Sequence, residues 1–250
     1  VGIILARLLE PREFGLVGMT TIFIAISQSF IDSGFTQALI RKQDCTQADF
    51  STVFYFNLAV GILFFLLLSF TAPLISSFFN EPQLTLIVQV LAIGLIINAF
   101  TIVQRARLTK AINFKLQTKI SIIASILSGL ISIWMAYNGY GVWSLVAKTL
   151  TGYTLTSMLL WLWNKWKPTL EFSKESFKEM FSFGSKLLLS GLLDTTYNNI
   201  YLLIIGKFFS ATELGYYTRA DQFKSLPSQN ITGVIQRVSY PVLSSIQDDK

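Results

Sequence analysis

The side chains that could do chemistry in this chain are polar groups set inside long apolar runs. Arg219, Gln222, Asn230, Gly233 and Arg237 fall within about a third of a helix circumference at 100° per residue. Guanidinium forks suit phosphate and similar oxyanions, so this stripe of cations and amides reads as a path for an anionic group. Lys224 adds a cation on the same helix, pointing elsewhere, and Pro227 bends that helix or frees a carbonyl. Lys148, beside Thr151 and Gly152, lies about 10 Å along its own helix by helical rise. The competing reading is that Arg219 and Arg237 reach opposite interfaces, the amides bind neighbouring helices, and Lys148 snorkels along lipid. Ionisable groups within a bilayer are costly and face the bundle interior or a wet cavity, which favours Lys148, Arg219, Gln222, Lys224, Asn230 and Arg237 as candidates for a substrate path.

A second, acidic set is separate. Asp194, Tyr197, Asn198 and Tyr201 share one helical face. They read as a cation site, as the acidic half of a salt bridge to Arg219, or as a packed hydrogen-bond cluster. Asp32 lies on one face with Thr21 and Gln28, at i, i+7 and i+11, where capping or a hinge competes with ion coupling. Asp32, Asp194 and Asn198 are the ion-coupling candidates. The chain has no His, and Cys45 is its only cysteine. His-based relays, His metal sites, Ser-His-Asp triads and an internal disulfide are therefore excluded. With no metal-ligand spacing, phosphate loop or nucleophile elbow either, no metal, cofactor or enzymatic activity is expected.

The elements that must position these groups are membrane helices. Of the 250 residues 52% are hydrophobic and 14% charged, with mean hydropathy +0.54; soluble domains carry about 25% charged residues. The apolar pattern predicts helices over about 13–40, 48–79, 83–104, 116–137, 142–163, 183–209 and 213–246. Residues 1–9, too few for a span of about 20, read as the cut end of a first transmembrane helix in a longer protein. Asp32-Ser33-Gly34 is expected to bend the first long helix. Arg105, Arg107, Lys110, Lys115 and Lys119 are assigned to a basic loop that touches anionic lipids and sets topology. A short amphipathic surface helix is expected around Ser173–Phe181. Residues 4–17 and 204–217 match at a constant offset of 200, pairing Glu13 with Glu213 and Gly15 with Gly215. A fixed-offset self-match marks an internal repeat, and in an apolar chain it suggests two like halves. Basic residues gather in alternate loops, which the positive-inside rule puts in the cytoplasm. That accounts for the formal charge of +6 without nucleic acid. The fold expected is all-α: a polytopic transmembrane helical bundle with a six-helix lobe over 1–163, its first helix truncated. A basic cytoplasmic connection follows over 164–181, then the first two helices of a second, parallel-repeat lobe over 182–250.

Several stretches resemble a known family. They include Ala6-Arg7-Leu8-Leu9-Glu10-Pro11-Arg12-Glu13-Phe14-Gly15, Asp32-Ser33-Gly34-Phe35, Gly139-Tyr140-Gly141-Val142-Trp143, Phe183-Gly184-Ser185-Lys186, Arg219-Ala220-Asp221 and Tyr240-Pro241-Val242-Leu243-Ser244. Together they resemble bacterial polysaccharide exporters of the Wzx or colanic-acid-exporter type, within the multidrug/oligosaccharidyl-lipid/polysaccharide exporter superfamily. The resemblance implies a multi-pass bacterial inner-membrane flippase with two six-helix lobes around a central cavity. It implies export of a polyprenyl-pyrophosphate-linked oligosaccharide by alternating access, in lipopolysaccharide, exopolysaccharide or capsule synthesis. Its implied partners are the lipid-linked oligosaccharide, membrane lipids, a Na+ or H+ gradient and glycan polymerases. Cavity cations would hold the pyrophosphate, with Lys148, Arg219 and Lys224 the positions available here. The alternatives are a cation-coupled small-molecule exporter of the same superfamily and a membrane glycan polymerase or ligase; the short loops opposite the basic ones count against the latter.

Overall fold

In the computed structural model, which describes residues 1–225 and Ser239, nine helices form an all-α bundle. They are α1 (Gly2–Leu8), α2 (Pro11–Asp32), α3 (Phe35–Arg41), α4 (Gln47–Phe79), α5 (Leu84–Lys110), α6 (Phe114–Tyr137), α7 (Val142–Asn164), α8 (Lys174–Phe208) and α9 (211–225). Among the described residues, four stretches are long and apolar enough to cross a membrane: α2 with α3, α4, α5 and α6. The chain is a polytopic membrane protein. Its outer surface carries Phe70, Leu74, Ile122, Ile126 and Leu130 exposed, as suits lipid-facing side chains. The more polar α7 and α8 run beside these spans.

Each boundary has a local cause. Pro11 opens α2, where its missing N–H costs nothing, and Glu10 and Glu13 cap each other there. The expected bend is a full break: Ser33 and Gly34 both take left-handed backbone, with φ of 47° and 70°, and end α2. Asp32 then accepts from the Thr36 N–H at 3.2 Å and its hydroxyl at 2.6 Å, tying the start of α3 back to α2. Thr46 and Asp49 cap α4 reciprocally, and Ser210 and Glu213 do the same for α9.

Two expectations are corrected. The basic segment after 104 is not a loop: α5 runs on to Lys110 and α6 starts at Phe114. Arg, Leu, Ala and Lys are good helix formers, and the rings of Phe50 and Trp166 lie 5.4 and 5.6 Å from the Arg107 guanidinium, giving it a packed place on the helix. The amphipathic segment is not a separate helix but the first turns of α8, which continues unbroken to Phe208. Gly184 lies in that continuation because a β-carbon there would meet the Ser33 carbonyl oxygen at 2.5 Å.

The core joins Leu16, Met19 and Ile31 of α2 to Leu68 and Ile75 of α4, Ile87 and Leu95 of α5, Val146 of α7 and Leu214 of α9. Basic segments collect at one end of the bundle. There Lys42 bridges Asp49 at 3.1 Å and Glu179 at 2.9 Å. Lys110 donates to the carbonyls of Leu39 and Lys42, filling the open end of α3. The 165–173 linker is held by Gln47, Ser51 and Thr52 of α4. At the opposite end Arg12 pairs with Glu81 at 2.6 Å, and the Lys207 ammonium donates to the Phe78 carbonyl at 2.6 Å.

Asp49 is 1% exposed and serves both a cap and an ion pair. Asp49→Ala is expected to cost about 2–3 kcal/mol, read as a lowered melting temperature in detergent. Burial would lower the Lys42 pKa, but Glu179 and Asp49 outweigh it and raise it. A raised pKa means the Lys42 contribution is complete below the ordinary lysine value of about 10.4 and is lost as pH rises through the folded value. The destabilisation by Lys42→Met should therefore be constant between pH 6 and about 9. Burial pushes the Cys45 thiol up, against the pull of Lys110. Cys45 should react with maleimide several-fold more slowly at neutral pH than an exposed thiol, with a rate still climbing above pH 9.

Candidate functional site

Two of the cavities lined by α2 differ in charge. The larger, about 700 Å³, is bounded by α1, α2, α5, α6, α7 and α9. Its lining includes three cations, Arg105, Lys148 and Arg219, and the hydroxyls of Thr21, Ser121, Ser125, Ser128, Thr149 and Thr218. Among the described residues no carboxylate lines it. The smaller cavity, about 520 Å³, holds Asp32 and Asp194 with the amides of Gln28, Asn98, Asn198 and Asn199. Arg105 borders both.

Arg219 is placed by α9. Its guanidinium carbon lies 3.4 Å from the centre of the Phe14 ring, one Nη donates to Gln222 Oε1 at 2.9 Å, and the other to the Gly2 carbonyl at 3.4 Å. Its Nε is buried with no hydrogen-bond partner among the described residues. Cation–π contact and an amide acceptor hold a guanidinium in place without neutralising it. Lys148 projects from α7 into the same space and feels the Arg219 charge across it. Among the described residues no hydrogen bond or ion pair reaches the Lys148 ammonium. Like charges facing one another across a partly desolvated cavity repel, and the arrangement is relieved by an anion between them.

A hydrogen bond links the linings of the two cavities: Gln28 Nε2 donates to the Tyr153 hydroxyl at 3.0 Å, joining α2 to α7. Below it Ser29 and Thr195 share a hydrogen bond at 3.1 Å, joining α2 to α8. Thr21, Gln28 and Asp32, grouped on one face by spacing, divide between the cavities: Thr21 lines the first and the other two the second.

Of the residues singled out from sequence, Lys148, Arg219 and Gln222 converge on the larger cavity, and Asp32, Asp194 and Asn198 on the smaller. Lys224 does neither: its side chain is 84% exposed and pairs with Asp221 at 3.8 Å. The Asp194–Arg219 salt bridge does not form, since Arg219 is committed to Phe14, Gln222 and Gly2. Asn230, Gly233, Arg237 and Pro227 lie outside the described residues. Sequence reasoning missed Arg105 and Tyr153 as lining groups. The signal for Arg105 was present: Asn98, Thr101 and Arg105 recur at i, i+3 and i+7 on one face of α5.

The family described as polysaccharide biosynthesis protein matches residues 4–250. The chain belongs to that family. It is 32% identical to the teichuronic acid biosynthesis protein TuaB of Bacillus subtilis (strain 168), over 87% of this chain and 46% of TuaB. It is 23% identical to the succinoglycan biosynthesis transport protein ExoT of Rhizobium meliloti (strain 1021), over 99% of this chain and 50% of ExoT. It is likewise 23% identical to the lipopolysaccharide biosynthesis protein WzxC of Escherichia coli (strain K12), over 98% of this chain and 50% of that protein. The chain spans about half the length of these curated relatives. No solved structure matches it.

Unpaired charge in apolar surroundings destabilises a fold, and replacing it with an apolar group of similar volume often stabilises. Lys148→Met should therefore raise the melting temperature of the detergent-solubilised protein, by the equivalent of about 1 kcal/mol. Tyr153→Phe, which strips Gln28 of an acceptor, should lower it by a similar amount. Scanning calorimetry or a fluorescence melt reads both.

Proposed function

We propose that this chain forms part of an exporter that carries an anionic, lipid-linked glycan precursor across the bacterial inner membrane. One observation carries the reading: among the described residues, three cations and no carboxylate line a cavity between membrane helices. A polyprenyl-pyrophosphate head presents oxyanions that Lys148, Arg219 and Arg105 could share, and the hydroxyls of α6 and α7 suit the first sugar. The printed name of one relative, the succinoglycan biosynthesis transport protein, points the same way. The cationic lining, with no carboxylate among the described residues, disfavours a cationic small molecule, the alternative within the superfamily.

In this reading residues 1–163 are one lobe, 164–181 a cytoplasmic connection and 182–250 the start of a second lobe. The basic end of the bundle faces the cytoplasm, as charge asymmetry across alternating loops favours. Substrate would be taken and released by alternating access between the lobes. The smaller cavity, with Asp32, Asp194 and Asn198, is the place for a coupling Na+ or H+. No catalytic step is part of this scheme.

Lys148→Met and Arg219→Ala in the full-length protein, expressed in a strain that depends on it for surface polysaccharide, should each lower surface display about tenfold or more. That is the effect of losing roughly 1.4 kcal/mol of charge-assisted binding. Membrane levels of each variant, measured by immunoblot, should stay normal. Full display by both variants would remove the cavity from the transport path.

A further inference from the structure

Another cavity lies at the Pro11 end of the bundle, away from the basic segments, and its chemistry differs from that of the two already described. It encloses about 410 Å³ between the first turns of α2, α5 and α7 and the 139–141 turn, within the roughly 300–1,000 Å³ of small-molecule sites. Leu16, Ile87 and Val142 give it a buried aliphatic part, and Tyr140 and Trp143 bring two aromatic rings to it. Beside the rings stand the Gln83 amide and the carboxylates of Glu10 and Glu13. Arg12 also borders it but is already paired with Glu81 at 2.6 Å.

The polar groups here are positioned without being used up. Glu13 Oε2 accepts from the Glu10 N–H at 2.9 Å. Its Oε1 lies against Gly141, where a β-carbon would collide with it, and among the described residues Oε1 accepts no hydrogen bond. Gly141 also takes left-handed backbone, with φ of 54°, so glycine is needed there twice over. Gln83 precedes α5 without a side-chain cap bond, and its amide has no partner among the described residues. The Tyr140 ring stacks on Trp134, with centroids 6.4 Å apart, and stays half exposed. Interfacial aromatic residues also anchor membrane proteins at the headgroups. Trp134 and Tyr137 fit that role: both are exposed and neither lines the cavity. Tyr140 and Trp143 share a cavity with Glu13 and Gln83, polar groups that an anchor does not require.

We propose that this cavity is a binding subsite for an uncharged pyranose sugar. The C–H face of a pyranose is apolar and weakly positive, so it rests on the electron-rich face of an aromatic ring. The hydroxyls at its rim need donors and acceptors. Glu13 Oε1 accepts from them, and hydrogen bonds to a carboxylate are the stronger kind; the Gln83 amide both donates and accepts. Two carboxylates beside one guanidinium that is already paired repel a phosphate or a uronic acid. The subsite and the cationic cavity lie on adjacent faces of α2: Glu13 and Leu16 line the first, Phe14 and Val17 the second. Its place in transport rests on the export reading, in which it receives a sugar of the glycan at the end away from the basic segments. Sugar binding itself does not rest on that reading.

The test measures binding of uncharged tetrasaccharides (cellotetraose, β-1,4-galactotetraose and chitotetraose) to the full-length protein in phosphatidylcholine nanodiscs, by saturation-transfer NMR. At least one should bind, and Trp143→Ala should weaken it about fivefold or more. Gln83→Ala should weaken it about two- to threefold. Both side chains are exposed, and an unchanged melting curve for each variant shows the loss to be local; where Trp143→Ala shifts the curve, Gln83→Ala decides. Binding by none of the tetrasaccharides, or an affinity unchanged in both variants, overturns the subsite. Displacement of the sugar by phosphatidylglycerol in the nanodisc marks a lipid-headgroup site and overturns it too. The assay needs no transport, so the two readings fail separately. Sugar binding lost in Trp143→Ala, in a protein whose Arg219→Ala variant still displays glycan, keeps the subsite and loses the transport path. Sugar affinity unchanged in both variants, where Arg219→Ala abolishes display, loses the subsite alone.

Discussion

Positive charge held in low-dielectric surroundings without its usual carboxylate is the constraint around which this structure is arranged. A paired guanidinium or ammonium would be cheaper to bury, and elsewhere the protein makes such pairs: Arg12 with Glu81, and Lys42 with Asp49 and Glu179. In the larger cavity, among the described residues, Arg219 and Lys148 have no such partner. Arg219 is held by a ring, an amide oxygen and a main-chain carbonyl, which fix its position and leave its charge in place. Lys148 faces it from α7. Asp32 and Asp194 line the neighbouring cavity instead, which Arg105 also borders. Keeping acids away from Lys148 and Arg219 costs stability, and a resident ion pair would cancel the field that those two cations present.

The rest of the bundle serves that segregation. The apolar core of α2, α4 and α5 gives a rigid wall. Small residues bring α2 close to its neighbours at both ends, to α9 through Gly15 and Gly215 and to α8 through Gly34 and Gly184. Close approach through glycine is a usual way to pack helices where lipid removes the hydrophobic drive between them. At the basic end the connection is pinned by hydrogen bonds to the start of α4 and by Lys110 under α3. Polar anchoring there and glycine packing at the other end make the two ends mechanically different.

Much of this was legible in the sequence because its causes are local. Pro11 at a helix start, the Ser210–Glu213 cap, the break at Ser33-Gly34 and the turn at Asn80 each depend on a few adjacent residues, and the structure has all four. The face shared by Thr21, Gln28 and Asp32 follows from helical period alone. What could not be read was set by tertiary packing. The extension of α5 through Arg107 depends on Phe50 and Trp166, which are distant in sequence. The continuity of α8 depends on Gly184 meeting Ser33 and Gly34. The destination of Arg219 depends on Phe14, supplied by the other copy of the repeat. The offset of 200 announced two related segments, but only geometry shows that they meet one another.

The central claim is that the cavity between α2, α7 and α9 recognises an oxyanionic lipid head. The most direct measurement is equilibrium binding of undecaprenyl pyrophosphate, undecaprenyl monophosphate and undecaprenol to the full-length protein in nanodiscs. Affinity should fall in that order, and the preference for pyrophosphate over the uncharged alcohol should collapse in a Lys148→Met, Arg219→Ala double variant. Equal binding of all three lipids, or a pyrophosphate preference that survives in the double variant, would contradict it.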